Sequence, residues 1–325
     1  MEPVGVALIG TGMVSELHEQ ALRELRSAKL VGCVGGGPEE TERRAGQWGV
    51  RPYADIDTLL NDPAVDCVFV LSPLEKHVEH ATQALRMGKH VLVEKPVGPN
   101  PSDIRSLDQT AKQCGRVCMP VHNYIYNPEV RRTKRLIENG DLGKICAAWI
   151  NYMIYHPEEI AGHYPGILRQ VGTHHFYTLL YLLGRPDRLY ASDAHLIYEK
   201  LTTEDQVMLQ LEMPGGAHVS LFASFAMNDE TSDSWMFMIK VLGAKGGCHV
   251  TWKSAIFARP LGTMSQAIVP YEESFTNTDR YFIEECIGHG HPPLSTLEDA
   301  AVAAELIEAA EESIKTTTPS PMLNA

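Results

Sequence analysis

Val4-Gly5-Val6-Ala7-Leu8-Ile9-Gly10-Thr11-Gly12-Met13-Val14-Ser15 is the stretch on which the reading of the fold turns. Six small or apolar residues make a strand with no polar alternation, as expected where both faces of a parallel sheet are covered. The run ends in Gly-x-Gly, and Leu17, Ala21, Leu22 and Leu25 then recur at helical spacing. Such a tight strand-to-helix turn aims backbone N–H groups and a helix N-terminus at one point, where an anion such as a pyrophosphate is stabilised. Ser15 replaces the third glycine of the dinucleotide fingerprint.

Working outward, apolar runs at Leu30 to Val34, Val65 to Leu71, His90 to Glu94 and Val117 to Val121 alternate with amphipathic stretches. This rhythm is that of βαβ units on a parallel sheet, with Gly88 and Gly115 placed to stop helices. After Pro120 the pattern changes to a helix over Pro128 to Glu138, a strand over Lys144 to Tyr155 and a helical run over Gly172 to Leu183. From Arg188 to Arg259 strands follow one another with turns at Pro214-Gly215-Gly216 and Gly243 to Gly247, the pattern of an antiparallel sheet. Two helices close the chain, the last over Ala300 to Ile314 with a capping-box spacing at Ser295 and Glu298. The expected organisation is α/β throughout: a dinucleotide-binding domain over residues 1–121, then a substrate-binding and oligomerisation domain over residues 122–325 with a largely antiparallel open sheet.

Composition limits the function classes. The chain has 325 residues, 28 Lys+Arg against 41 Asp+Glu, and a formal charge of −13. That charge repels phosphate polymers and anionic membranes, so nucleic acid and membrane surfaces are not expected partners. No apolar run reaches the roughly 20 residues that span a bilayer. The N-terminus enters its apolar run at Val4 with no preceding basic patch, and the seven cysteines are an odd number set mostly in apolar runs. Both features point to a cytoplasmic protein with reduced thiols. His174-His175, His289-x-His291 and Cys114-x3-Cys118 lack the spacing of a zinc set, so no metal is expected.

Three further segments carry chemistry. An acidic residue belongs about 20 residues after the glycine turn, where it would bind the ribose 2′-hydroxyl of NAD, but Gly35-Gly36-Gly37 stands there. No arginine replaces it directly, although Arg43 and Arg44 follow, so NAD is expected with NADP left open. Ser72-Pro73 and His77 precede Gly88-Lys89-His90, and an apolar strand then leads into Glu94-Lys95-Pro96. A lysine there, at the carboxyl end of a sheet strand, lies where open α/β sheets bind ligands.

Together, Gly10 to His18, Ser72 through Pro96, Asn123 to Pro128, Leu136 to Lys144 and Gly172 to Gly184 resemble the Gfo/Idh/MocA oxidoreductases, the glucose-fructose oxidoreductase and inositol dehydrogenase group. The resemblance runs through nearly the whole chain. It implies a Rossmann domain, a second α/β domain whose open sheet forms a homo-oligomer interface, and a sugar, sugar-nucleotide or cyclitol substrate lying between the domains. It makes Lys95 catalytic and aligns Gln170, Val171, Gly172, Thr173 and His174 with the family's Asp-x-Gly-x-His motif. His174 is then the acid/base, its unperturbed pKa of about 6.5 lying near working pH. Gln170 departs from the motif's Asp and orients His174 or the substrate without carrying charge. Tyr177 stands where Asp is common, and Ile125 where Arg is frequent.

The expected cofactor contacts are Gly10, Thr11, Gly12, Met13, Val14, Gly35, Gly36, Ser72, Pro73, His77, Glu94, Lys95 and Asn123; Tyr152, Arg169, Gln170, His174 and Lys95 are the expected substrate contacts. The expected reaction is hydride transfer between nicotinamide and a secondary hydroxyl or its ketone. The rival readings are a cofactor-binding sensor without turnover, and an enzyme with tightly held NAD that uses transient oxidation for elimination or glycoside cleavage.

Overall fold

A computed structural model describes residues 2–226, 235–252, 256–258, 263–265 and 271–316. Arg259, the end of the expected run of strands, lies outside the described residues. The chain divides into two compact units, Met1–Asn127 with Val269–Ala304, and Pro128–Ile268 with Glu305–Ala325. The sequence reading has one cut, after residue 121. In the structure the chain returns late to its first unit, a pairing that no local pattern encodes.

In the first unit β1 (Val4–Ile9) leads through the glycine turn into α1 (Met13–Glu24), followed by β2 (Ala28–Val34), α2 (Pro38–Trp48), the two-residue β3 (Arg51–Pro52) and α3 (Ile56–Leu60). Then come β4 (Cys67–Val70), α4 (Leu74–Arg86), β5 (His90–Val93), α5 (Pro101–Cys114) and β6 (Cys118–Pro120). The sheet order is β3-β2-β1-β4-β5-β6 with every pairing parallel. This is the doubly wound Rossmann order, which opens a ligand crevice at the carboxyl ends where the order reverses, beside β1 and β4. The short edge strand β3 was not anticipated from sequence.

Alternate strand residues supply two cores. Ala7, Ile9, Val68, Val70, Val91 and Val93 meet Ala81, Leu85, Ile104 and Leu107 of α4 and α5. On the other side Phe69 packs edge-on against His18 of α1 and against Phe282, with Phe275 completing the cluster.

The second unit begins with α6 (Pro128–Glu138), β7 (Ile145–Ile154), the short α7 (Glu158–Ala161) and a π-helical turn Leu168–Gly172 that runs into α8 (Thr173–Leu183). β8 (Arg188–Ala194), β9 (Gln206–Glu212), β10 (His218–Ser224), β11 (Trp235–Gly243) and β12 (Gly247–Thr251) complete a six-stranded sheet of order β12-β11-β7-β10-β9-β8. Only β7 and β10 pair in parallel; all other neighbours are antiparallel. α8 packs on β7, burying Ala148, Ile150, Val219, Leu221 and Ile239 on that side. The opposite side carries Tyr190 and Met208 largely exposed. β13 (Ile256–Ala258) and β14 (Thr263–Ser265) form a small antiparallel pair.

α9 (Tyr271–Arg280) runs into a π-helical segment, Tyr281–Gly288, and packs on α1. α10 (Leu297–Thr316) closes the described chain. Its capping box is one residue later than the sequence reading placed it: the Thr296 N–H donates to Asp299 Oδ2 at 2.7 Å, and the Asp299 N–H donates to Thr296 Oγ1 at 3.1 Å. Ser295 instead is buried with its hydroxyl 2.7 Å from His122 Nδ1, and Glu298 pairs with Arg105. Both spacings fit the box, and burial decides between them.

Candidate active site

The glycine turn has the geometry that its sequence implies. Gly10 has φ +118°, and a Cβ there would lie 2.4 Å from the Leu71 carbonyl oxygen and 2.7 Å from the Ser72 nitrogen. Only glycine lets the end of β1 lie against the chain leaving β4. Gly12 caps α1 without a side-chain hydrogen bond, and a Cβ on it would meet nothing within 4 Å. The first N–H groups of α1, on Met13 and Val14, lack intrahelical acceptors by helix geometry, so the open ground before them is an anion site. Ser15 explains its departure from the fingerprint: it is fully buried, and its hydroxyl donates to the Gly12 carbonyl at 2.5 Å.

A cavity of about 550 Å³ opens at the ends of β1, β2 and β4, lined by Gly10, Thr11, Gly12, Gly35, Gly36, Ser72 and Pro73 from the expected set. Ile9, Val34, Ile56 and Leu71 add apolar walls, and Glu40 and His80 add polar groups that the sequence reading missed. An apolar slot beside an uncapped helix N-terminus fits a dinucleotide, with adenine against the walls and pyrophosphate before Gly12. Thr11 Oγ1 donates to the Gly35 carbonyl at 3.0 Å, and Thr41 Oγ1 both donates to that carbonyl and accepts the Gly35 N–H. His80 Nδ1 lies 3.0 Å from Ser72 Oγ, and burial lowers its pKa.

Glu40 lies in the first turn of α2 and takes Arg43 bidentately, Nε to Oε2 at 2.7 Å and Nη2 to Oε1 at 2.6 Å. Arg44 Nε donates to Glu40 Oε1 at 3.0 Å, and Arg44 also pairs with Glu16. These arginines, Arg43 foremost, hold the Glu40 carboxyl well below the usual carboxylate range, at about 2. A first-turn acid four residues after Gly36, followed by two arginines, is the signal by which Glu40 was legible.

The remaining expected cofactor contacts do not line this cavity. Met13 points to solvent at 78% exposure. His77 is buried with Nε2 2.6 Å from the Ser72 carbonyl and Nδ1 2.8 Å from the Pro96 carbonyl, so it ties the two loops together. Glu94 is buried, and its Oε2 accepts the Lys95 N–H at 2.6 Å. Lys95 follows β5, half-buried, and the Lys95–Pro96 peptide is cis. Burial pushes its ammonium pKa down, opposed by Glu94. His122, 1% exposed, is held down to about 3 by burial and then by the Lys95 charge. Asn123 is buried and donates to Ser274 Oγ at 2.8 Å, a partner 151 residues away that no local pattern shows. Ile125 is wholly buried, as suits the apolar residue found there.

In the second unit, Gln170 is half-buried on the π-helical turn, a geometry that concentrates at functional sites. His174 is buried with Nδ1 2.6 Å from Tyr177 Oη, one helical turn on. Its neighbour His175 instead sets Nδ1 3.0 Å from the Val171 carbonyl, and burial lowers its pKa to about 4. The two adjacent histidines thus separate: one turns its Nδ1 to the helix backbone, the other is oriented by a phenol. Arg169 forms an ion pair with Glu311 of α10, Nε to Oε1 at 2.6 Å, and Tyr152 is buried against the Trp235 ring. Both have structural partners in addition to any substrate role. Among the described residues no group of three or more His, Cys, Asp or Glu side chains is arranged to hold a metal. No helix among them is long and apolar enough to cross a membrane.

Comparison with known proteins places this geometry. Residues 4–122 match the family described as "Oxidoreductase family, NAD-binding Rossmann fold", and residues 130–249 match the GFO/IDH/MocA C-terminal domain. The chain is 33% identical over 163 residues to the uncharacterized oxidoreductase YhhX of Escherichia coli (strain K12), a match spanning 49% of this chain and 46% of that relative. It is 26% identical over 343 aligned positions to scyllo-inositol 2-dehydrogenase (NAD(+)) of Bacillus subtilis (strain 168), spanning 97% and 95% of the two chains. An oxidoreductase from Agrobacterium radiobacter, solved in complex with NAD+, L-tartaric acid and magnesium, shares the fold with a TM-score of 0.87 at 19% identity over 97% of both chains. With both domain families matched in order and the glycine turn built as their first domain requires, this chain belongs to the Gfo/Idh/MocA family of NAD-binding oxidoreductases.

Proposed function

We propose that this protein is an NAD-dependent dehydrogenase or reductase acting on a secondary hydroxyl, or the corresponding ketone, of a sugar, sugar derivative or cyclitol. The observation that carries the proposal is the setting of Lys95. It adjoins Pro96, whose carbonyl is tied through His77 to Ser72 in the cavity wall. Burial also pushes its ammonium toward the range where it exchanges a proton. Relatives along nearly the full length, among them scyllo-inositol 2-dehydrogenase and the D-glucoside 3-dehydrogenase of Escherichia coli (strain K12), support the substrate class.

In this reading Gly10, Thr11 and Gly12 hold the pyrophosphate before α1, and the nicotinamide of NAD supplies the hydride acceptor or donor. Lys95 donates a hydrogen bond to the reacting oxygen. His174 removes the hydroxyl proton in oxidation or returns it in reduction, with Tyr177 Oη fixing the ring through Nδ1. Gln170 orients substrate or imidazole. Copies of the chain associate through the open face of the second sheet, which carries Tyr190 and Met208. The compartment is the cytoplasm.

The test is near-ultraviolet nicotinamide absorbance with NAD across free sugars, sugar phosphates, sugar nucleotides and inositols, comparing wild type with Lys95→Met and His174→Asn. Each variant should lose turnover on the active substrate while NAD affinity, measured by titration calorimetry, changes little. Equal losses of turnover and affinity in Lys95→Met would remove that residue from the chemistry.

A further inference from the structure

We propose that Glu40, on α2, is the residue by which this chain accepts NAD and rejects NADP, taking over from helix α2 the task that the tip of β2 does not perform. The inference rests on the cavity being the dinucleotide site described above. In a Rossmann sheet the adenosine ribose lies at the end of the second strand, and its 2′-hydroxyl is held there by a carboxylate. Here that tip is Gly35-Gly36-Gly37, with φ of +147°, +70° and +87°.

Gly35 and Gly36 are required by what surrounds them. A Cβ on Gly35 would lie 2.9 Å from Gly10 Cα, and one on Gly36 would lie 2.7 Å from Glu40 Cγ and 3.0 Å from Thr11 Oγ1. A side chain at Gly35 or Gly36, an aspartate included, would collide with the glycine turn or with Glu40, and at Gly37, where there is space, φ of +87° disfavours any residue but glycine. The stem of Glu40 fills that space, and Glu40 lines the cavity.

The arginines next to it do not reverse the preference. Arg43 and Arg44 are the cations a 2′-phosphate would seek, and both are tied to Glu40. Arg44 is also engaged by Glu16, so these four side chains sum to zero charge. Oε1 of Glu40 accepts two N–H groups and Oε2 accepts one. A carboxylate oxygen has two lone pairs, so Oε2 keeps one that can accept a ribose hydroxyl. A phosphate has no proton to offer that lone pair, and the arginines that would bind it are occupied, so it gains no partner at Glu40. Gly35 stays in register because Thr11 and Thr41 clamp its carbonyl.

The test is titration calorimetry of the full chain with NAD and NADP separately, which reads binding without any substrate or turnover. Wild type should bind NAD about 100-fold more tightly than NADP, the size expected when a hydrogen bond to a charged group is lost and a phosphate is left unpaired. Glu40→Gln keeps an acceptor, removes the charge and releases the arginines, so NADP should tighten and the ratio fall below about 10. Adding Arg43→Ala to Glu40→Gln should weaken NADP again, because the freed guanidinium supplies the gain. Wild type binding NADP as tightly as NAD would overturn the inference. So would a preference for NAD that persists unchanged in Glu40→Gln, since discrimination would then lie elsewhere. Binding of neither dinucleotide by wild type would refute the cofactor site itself, a failure distinct from the loss of discrimination alone.

Discussion

His122 offers a stability prediction whose size follows from its surroundings. The ring is 1% exposed, with Nδ1 2.7 Å from Ser295 Oγ, and burial together with the nearby Lys95 charge holds its pKa at about 3. In the unfolded chain an imidazole titrates near 6.5. Between these values the unfolded state carries a proton that the folded state does not. Stability therefore falls as pH falls through that window, by about 1.4 kcal/mol per pH unit. By about pH 4.5 this one group costs roughly 3 kcal/mol, a large share of the 5–15 kcal/mol that holds a typical domain together. His122→Asn keeps an acceptor opposite Ser295 and deletes the titration. Urea unfolding followed by tryptophan fluorescence should show the variant less stable near pH 7 by roughly 1–3 kcal/mol, from lost packing. That deficit should then shrink by roughly 3 kcal/mol as pH is lowered to about 4.5, so that the two stability curves converge or cross. His175 titrates in both proteins and cancels from the difference. Parallel curves across the window would refute the reasoning, because they would mean that the folded protein protonates His122 as readily as the unfolded chain does.

Other substitutions separate local from long-range causes. Gly10→Ala places a methyl 2.4 Å from the Leu71 carbonyl oxygen at φ +118° and should cost more than about 3 kcal/mol in urea unfolding and abolish NAD binding; retention of both would show that the turn is not sterically closed. Thr296→Ala should cost about 1 kcal/mol by removing the cap of α10, whereas Glu298→Ala, which breaks a solvent-exposed ion pair with Arg105, should stay within about 0.5 kcal/mol; the reverse ranking would restore the box at Ser295 and Glu298. Tyr177→Phe removes the hydroxyl 2.6 Å from His174 Nδ1 and should lower kcat roughly tenfold with little change in KM, shifting the pH profile of kcat; an unchanged profile would leave Tyr177 as packing alone.

What the sequence determined by itself is what a few neighbouring residues can enforce. Gly10 and Gly12 after an apolar strand made the turn and its anion site legible, because φ and the unpaired N–H groups of a helix start are local properties. The spacing from Lys95 to Pro96, and from His174 to Tyr177 one helical turn on, was likewise visible in the chain. Tertiary structure decided the rest wherever two local choices were equally good or the partner lay far away. Ser295 and Thr296 both fitted a capping box, and His122, more than 170 residues earlier, took Ser295. The motif marked His174, but only helix orientation set it toward a phenol and His175 toward its own backbone. Asn123 found Ser274 as a partner only because α9 returned to the first unit. Glu40 reached the cavity only because Gly36 left room for its stem. Excluded volume and the burial of polar groups act between residues distant in the chain, so hydrogen-bond periodicity and backbone preference, which act along it, could not have chosen among these outcomes.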